Sequence, residues 1–158
     1  MEKKILVNAF KLSIVPRWTV IDMFKSQTVS DHVYRVQIIA LHLIDKLGLP
    51  LNKGDILLEI LFHDNIEGTE GDQPSTFKSA NQILKPSGSP EKALLRMSDA
   101  VEAAIQLARY GKNPTRVMRF LERKLQFTQD EISTYFNIPA LTVLEVVDNL
   151  IVVGKNYD

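Results

Sequence analysis

The chain has 158 residues, with 19 basic and 19 acidic side chains, three histidines and no cysteine. That length fits one domain, 1–158, and 45% apolar content with 24% charge excludes a wholly disordered chain. Zero net charge removes any general electrostatic pull toward nucleic acid or anionic lipid, and without cysteine there are no disulfides, thiol nucleophiles or thiolate metal sites.

In chain order, Met1-Glu2-Lys3-Lys4-Ile5 has the charge of a signal peptide but no sustained apolar stretch behind it. From Ser30 to Leu47, Val33, Val36, Ala40, Leu43 and Leu47 recur at helical spacing, with Ser30 as the expected start and Gly48 as the end. Gln37, His42 and Asp45 interrupt this best apolar run, so no membrane span is expected. A second helix is expected from about Gly54 to Glu67, closed by Gly68. Gly68 to Ser75 reads as a loop, and a short helix from about Thr76 to Leu84 follows. Ser89 and Pro90 mark the start of a helix ending before Gly111, and Asn113-Pro114 repeats the signal. Thr128 with Glu131 reads as a capping box, and a last helix begins near Pro139. No strand alternation is evident. The fold class is all-α; the part that carries the motifs described below runs at about 17–111, and C-terminal helices follow at about 113–153.

His63-Asp64 ends an apolar helix, where adjacent side chains leave the axis about 100° apart, a divergence that suits two ligands of one ion. A polar helix terminus is the plainer explanation for such a pair on its own. His32 borders the apolar stripe of its own helix. Asp99 lies in the segment Pro90 to Tyr110, apolar nearly all round, and a buried carboxylate there needs a partner. Arg96 or another basic residue would serve; a metal ion would also explain both histidines.

The order His32, His63-Asp64, Asp99 resembles the H…HD…D pattern of the HD-domain metal phosphohydrolases. Further matches are similar to the bacterial 5′-deoxynucleotidase branch and its viral deoxynucleotide triphosphohydrolase relatives. They are Arg17-Trp18, Thr28-Val29-Ser30-Asp31-His32, Glu67, Gly71-Asp72-Gln73-Pro74, Lys78 and Met97-Ser98-Asp99-Ala100. Asp31 stands where that branch has glutamate, and Val33 where a small hydroxyl residue is common. Asp99 follows Asp64 by 35 positions, a short spacing that implies a trimmed substrate pocket.

The resemblance implies a compact HD-domain helical bundle with the metal site between its central helices. His32, His63, Asp64 and Asp99 would hold a divalent ion such as Mn²⁺, Co²⁺, Fe²⁺ or Zn²⁺. Water activated by that ion would attack the α-phosphorus. Glu67 and Asp72 are the expected acid–base groups; Arg17 and Lys78 would hold phosphate, and Trp18 would lie on the sugar and exclude a 2′-hydroxyl. His42 falls ten residues past His32, ~15 Å along the helix, which argues against a binuclear histidine-rich site. A second ion such as Mg²⁺ would need Glu67, Asp72 and substrate phosphates. The implied substrate is a deoxynucleotide, either a monophosphate giving deoxynucleoside and phosphate or a triphosphate such as dATP giving deoxyadenosine and triphosphate. The expected setting is the cytoplasm, or the host cytoplasm for a viral chain.

The C-terminal run Glu131 to Pro139 leading into Thr142-Val143 has the rhythm of a helix-turn-helix. The second helix carries Glu145 and Asp148 and no Lys or Arg before Leu150, whereas phosphate contacts need cations. Arg116, Arg119, Arg123 and Lys124 on the preceding helix are the one feature favouring nucleic acid. A non-catalytic regulator or DNA-binding protein is therefore the alternative class; packing and homo-oligomer contacts are the expectation for this segment.

Overall fold

A computed structural model describes residues 3–17, 23, 25–65, 84–112 and 115–156. Among them are six helices: α1 (Lys3–Leu12), α2 (Val29–Leu47), α3 (Lys53–His63), α4 (Pro90–Tyr110), α5 (Thr115–Phe136) and α6 (Ala140–Asn156). The all-α expectation holds, and α1, which the periodicity did not announce, is added to it. One small correction concerns strands. β1 (Pro16–Arg17) and β2 (Gln27–Thr28) pair antiparallel, Pro16 opposite Thr28 and Arg17 opposite Gln27.

That pairing sets the start of α2. Thr28, in extended conformation, accepts a hydrogen bond from the Asp31 amide at its Oγ1 (3.2 Å), and Asp31 Oδ2 accepts one from the Thr28 amide (3.1 Å). The cap is thus Thr28, two residues before the expected Ser30, and Asp31 completes a reciprocal capping box. Gly48 ends α2 at φ 62°, a left-handed conformation that glycine adopts without a Cβ penalty. The stripe Val29, Val33, Val36, Ala40, Leu43 and Leu47 is buried, and His32 is buried with it.

Asn52 caps α3 by accepting from the Gly54 and Asp55 amides. The helix stops at His63, short of the expected Glu67. Asp64 takes φ −101°, ψ 9°, and the Asn65 amide bonds the Phe62 carbonyl, tightening the last turn. The loop expected at Gly68–Ser75 and the helix expected from Thr76 lie outside the described residues.

α4 starts as its sequence signals, with Ser89 Oγ accepting from the Lys92 amide and Pro90 in the first turn. It is the central element and packs on α2, α3, α5 and α6. From Met97 to Leu107 every side chain except Asp99 is buried. α5 runs unbroken through Thr128, which corrects the expected capping box there. Buried Thr128 turns its hydroxyl back to the carbonyls of Lys124 and Leu125 inside the helix, and Glu131 instead accepts from the amide and hydroxyl of Ser87. α5 ends with Asn137 at φ 51° and the Ile138 amide on the Ser133 carbonyl. α6 then buries Val143 and Val147. The helix with recognition-helix rhythm packs on α2, α4 and α5 as part of the bundle. Among the described residues no helix is long and apolar enough to cross a membrane.

Candidate metal centre and active site

Four of the expected site residues meet where three helices converge. His32 comes from the first turns of α2, His63 and Asp64 from the end of α3, and Asp99 from the middle of α4. His32, His63 and Asp99 each offer a donor atom within 4.8 Å of the others. Asp64 Oδ2 lies 3.5 Å from His32 Nε2 and 3.1 Å from His63 Nε2. Asp64 stands just past the last helical residue of α3, as its C-cap, and its carboxylate and the His63 imidazole both reach the same point.

Both imidazoles are aimed from behind. His32 Nδ1 donates to Glu102 Oε2 at 2.7 Å, one helical turn from Asp99 on α4. Glu102 is held in turn by Gln27 Nε2 at 2.6 Å and lies 3.7 Å from the Arg35 guanidinium. His63 Nδ1 donates to the Ile60 carbonyl at 2.5 Å. Each ring therefore turns Nε2 into the cluster.

The charges are finely opposed. Burial disfavours the charged form of His32, as does Arg17, but Glu102 and Asp99 outweigh both and raise it to about 9. Burial also opposes charge on His63, while Asp64 raises it. Burial would raise Asp99, yet the Lys124 ammonium and His32 hold it well below the usual carboxylate range. Asp64 is likewise lowered against burial, mainly by His63. His32 Nε2 and Asp64 Oδ2 are buried without a well-formed hydrogen bond. Buried polar atoms are normally satisfied. Two imidazole nitrogens and two carboxylates converging on one point fit a divalent cation of borderline hardness.

Two cations border the cluster. β1 sets Arg17 so that its guanidinium lies 3.8 Å from Asp64 and 3.6 Å from Asp99. Lys124 Nζ reaches Asp99 Oδ2 at 2.6 Å. Lys124 is buried, so it does not belong to the basic face that Arg119 and Arg123 present to solvent. The basic partner considered for Asp99 thus exists, but it is Lys124; Arg96 instead bonds the Lys85 carbonyl and Ser87. His42 is exposed and plays no part in the cluster. Trp18, Glu67, Asp72 and Lys78 lie outside the described residues. Glu102 was missed by sequence reasoning, although the rule that flagged Asp99, a carboxylate in an apolar helix, applies to it equally. Lys124 also carried a signal, since it sits on the buried stripe of Leu121, Leu125, Thr128 and Ile132.

The model of the family described as 5′-deoxynucleotidase YfbR-like matches residues 5–108. The chain belongs to this family. The match takes in His32, His63, Asp64 and Asp99 and ends before α5, so Lys124 lies beyond it. No curated protein matches the chain by sequence. Among solved structures it is similar to the cyanophage S-2L HD phosphohydrolase DatZ, bound to dA and one catalytic Zn²⁺ ion. That likeness has a TM-score of 0.71 at 16% identity and covers 99% of this chain and 98% of DatZ. The fold is the HD-domain helical bundle, and this YfbR-like chain is a hydrolase acting on deoxynucleotides.

Proposed function

We propose that the chain is a 5′-deoxyribonucleotidase, converting a deoxynucleoside monophosphate to deoxynucleoside and phosphate with one divalent ion held by His32, His63, Asp64 and Asp99. The observation that carries the metal part is the convergence of donor atoms: those of His32, His63 and Asp99 lie within 4.8 Å of one another, with Asp64 Oδ2 3.5 Å from His32 Nε2 and in no well-formed hydrogen bond. Bound there, an ion such as Mn²⁺, Co²⁺, Fe²⁺ or Zn²⁺ supplies a lowered pKa for water and polarises a phosphoryl oxygen. Glu102 and the Ile60 carbonyl keep both imidazoles in the tautomer that presents Nε2.

Arg17 offers a planar fork to the phosphate, steadied beside Asp64 and Asp99. Lys78 adds a second cation for phosphate. As the nucleoside 5′-oxygen leaves the phosphorus it must gain a proton; Glu67 is assigned that transfer together with Asp72. Trp18 is assigned to the sugar, where a rigid indole would exclude a 2′-hydroxyl. These roles for Trp18, Glu67, Asp72 and Lys78 are supported by the resemblance of the motif series. The family description favours a monophosphate. A cytoplasmic setting suits a nucleotide substrate.

A second reading, release of triphosphate from a dNTP such as dATP, draws on the likeness to DatZ over nearly the whole of both chains. It uses the same residues. Product analysis on a panel of dNMPs and dNTPs with Mn²⁺, Co²⁺ or Zn²⁺ separates the two. Orthophosphate from dNMPs alone supports the first reading, and inorganic triphosphate from a dNTP supports the second. No product from any deoxynucleotide would overturn both.

A further inference from the structure

The two oxygens of Asp99 have different neighbours. Oδ1 lies 3.2 Å from His32 Nε2 and faces the candidate ion site, whereas Oδ2 takes the Lys124 ammonium at 2.6 Å. Lys124 comes from α5, outside the family-matched residues 5–108, and is 8% exposed. A buried ammonium is costly unless a carboxylate meets it, and Lys124 meets one that also borders both histidines.

We propose that Lys124 is a positioning residue of the metal centre, engaging Asp99 Oδ2 so that Asp99 turns Oδ1 alone to the ion. This rests on the reading of Asp99 as a metal ligand. A free carboxylate can grip a divalent ion through one oxygen or both, and the second oxygen takes up a further coordination position. A hydrolytic centre with four protein ligands needs its remaining positions for water and a phosphate oxygen. An ammonium on Oδ2 keeps Asp99 to one of them. Its positive charge also opposes the ion, so removing it should tighten metal binding even as it impairs turnover.

The test uses the full chain loaded with Co²⁺. Lys124→Met keeps the length and removes the charge. It is expected to bind one Co²⁺ more tightly than wild type, with a weaker visible absorption from the higher coordination number. Its kcat should fall roughly tenfold or more, the usual scale for a residue that orients a metal ligand. Lys124→Arg should restore the spectrum and most of the turnover. A spectrum and affinity equal to wild type, or an affinity that falls together with stability, would overturn the proposal. A crystal structure of the Co²⁺-loaded wild type decides even where Lys124→Met does not fold. Asp99 bound through Oδ1 with Oδ2 on Lys124 supports the proposal, and chelation through both oxygens overturns it. Co²⁺ bound away from Asp99, together with full Co²⁺ content in Asp99→Ala, would instead show that the underlying reading of Asp99 is wrong.

Discussion

Protonation of His32 links the fold to the ion. Glu102 and Asp99 push its pKa up to about 9, above the ordinary 6.5. A raised pKa means that the protonated form is favoured by folding. The resulting stability is fully present below pH 6.5 and is lost as pH rises through about 9. The ion needs the same Nε2 as a lone pair, so at neutral pH it must displace a proton. Calorimetric titration of metal-stripped protein with Zn²⁺ in buffers of different ionisation enthalpy should show proton release near pH 7.5 and tighter binding as pH rises toward 9. Buffer-independent heats and a pH-independent affinity would show that His32 is not a ligand. The four proposed ligands were legible in the sequence because each broke an apolar pattern or matched a motif. Glu102 and Lys124 were harder, since their worth depends on partners 70 and 25 positions away.

Helix ends carry the site, so their chemistry decides its geometry. His32 lies in the first turns of α2, close to the Thr28–Asp31 box, and β2 places both Gln27 and Thr28. Thr28→Ala removes the acceptor for the Asp31 amide and should cost about 1 kcal/mol. Thermal melts should show the loss, with ion content unchanged because His32 is still held by Glu102. A silent substitution would mean that the cap adds nothing to α2. Most helix boundaries were readable from Gly48, Ser89-Pro90 and Pro139. Two were not. Thr128 has the residue type of a cap, but burial on α5 favours the bond back to its own helix. α3 ends early through the backbone of Asp64, which no side-chain pattern announces.

The whole molecule is larger than its family-matched part. α5 and α6 cover α4 and bury Leu121, Leu125, Ile132, Val143 and Val147. Each such side chain contributes about 1.5–3 kcal/mol when fully buried, against a usual domain stability of about 5–15 kcal/mol. A chain ending at Lys112 should therefore lose its cooperative melt and its ion. A cooperative melt with full ion content would show that the HD core stands alone. The central claim is that one divalent ion sits among four named side chains. Metal analysis of the purified wild type and of His32→Ala, His63→Ala, Asp64→Ala and Asp99→Ala tests it most directly. The account predicts one ion per chain in the wild type and loss of it in each variant that folds. Full metal content in Asp99→Ala would contradict it.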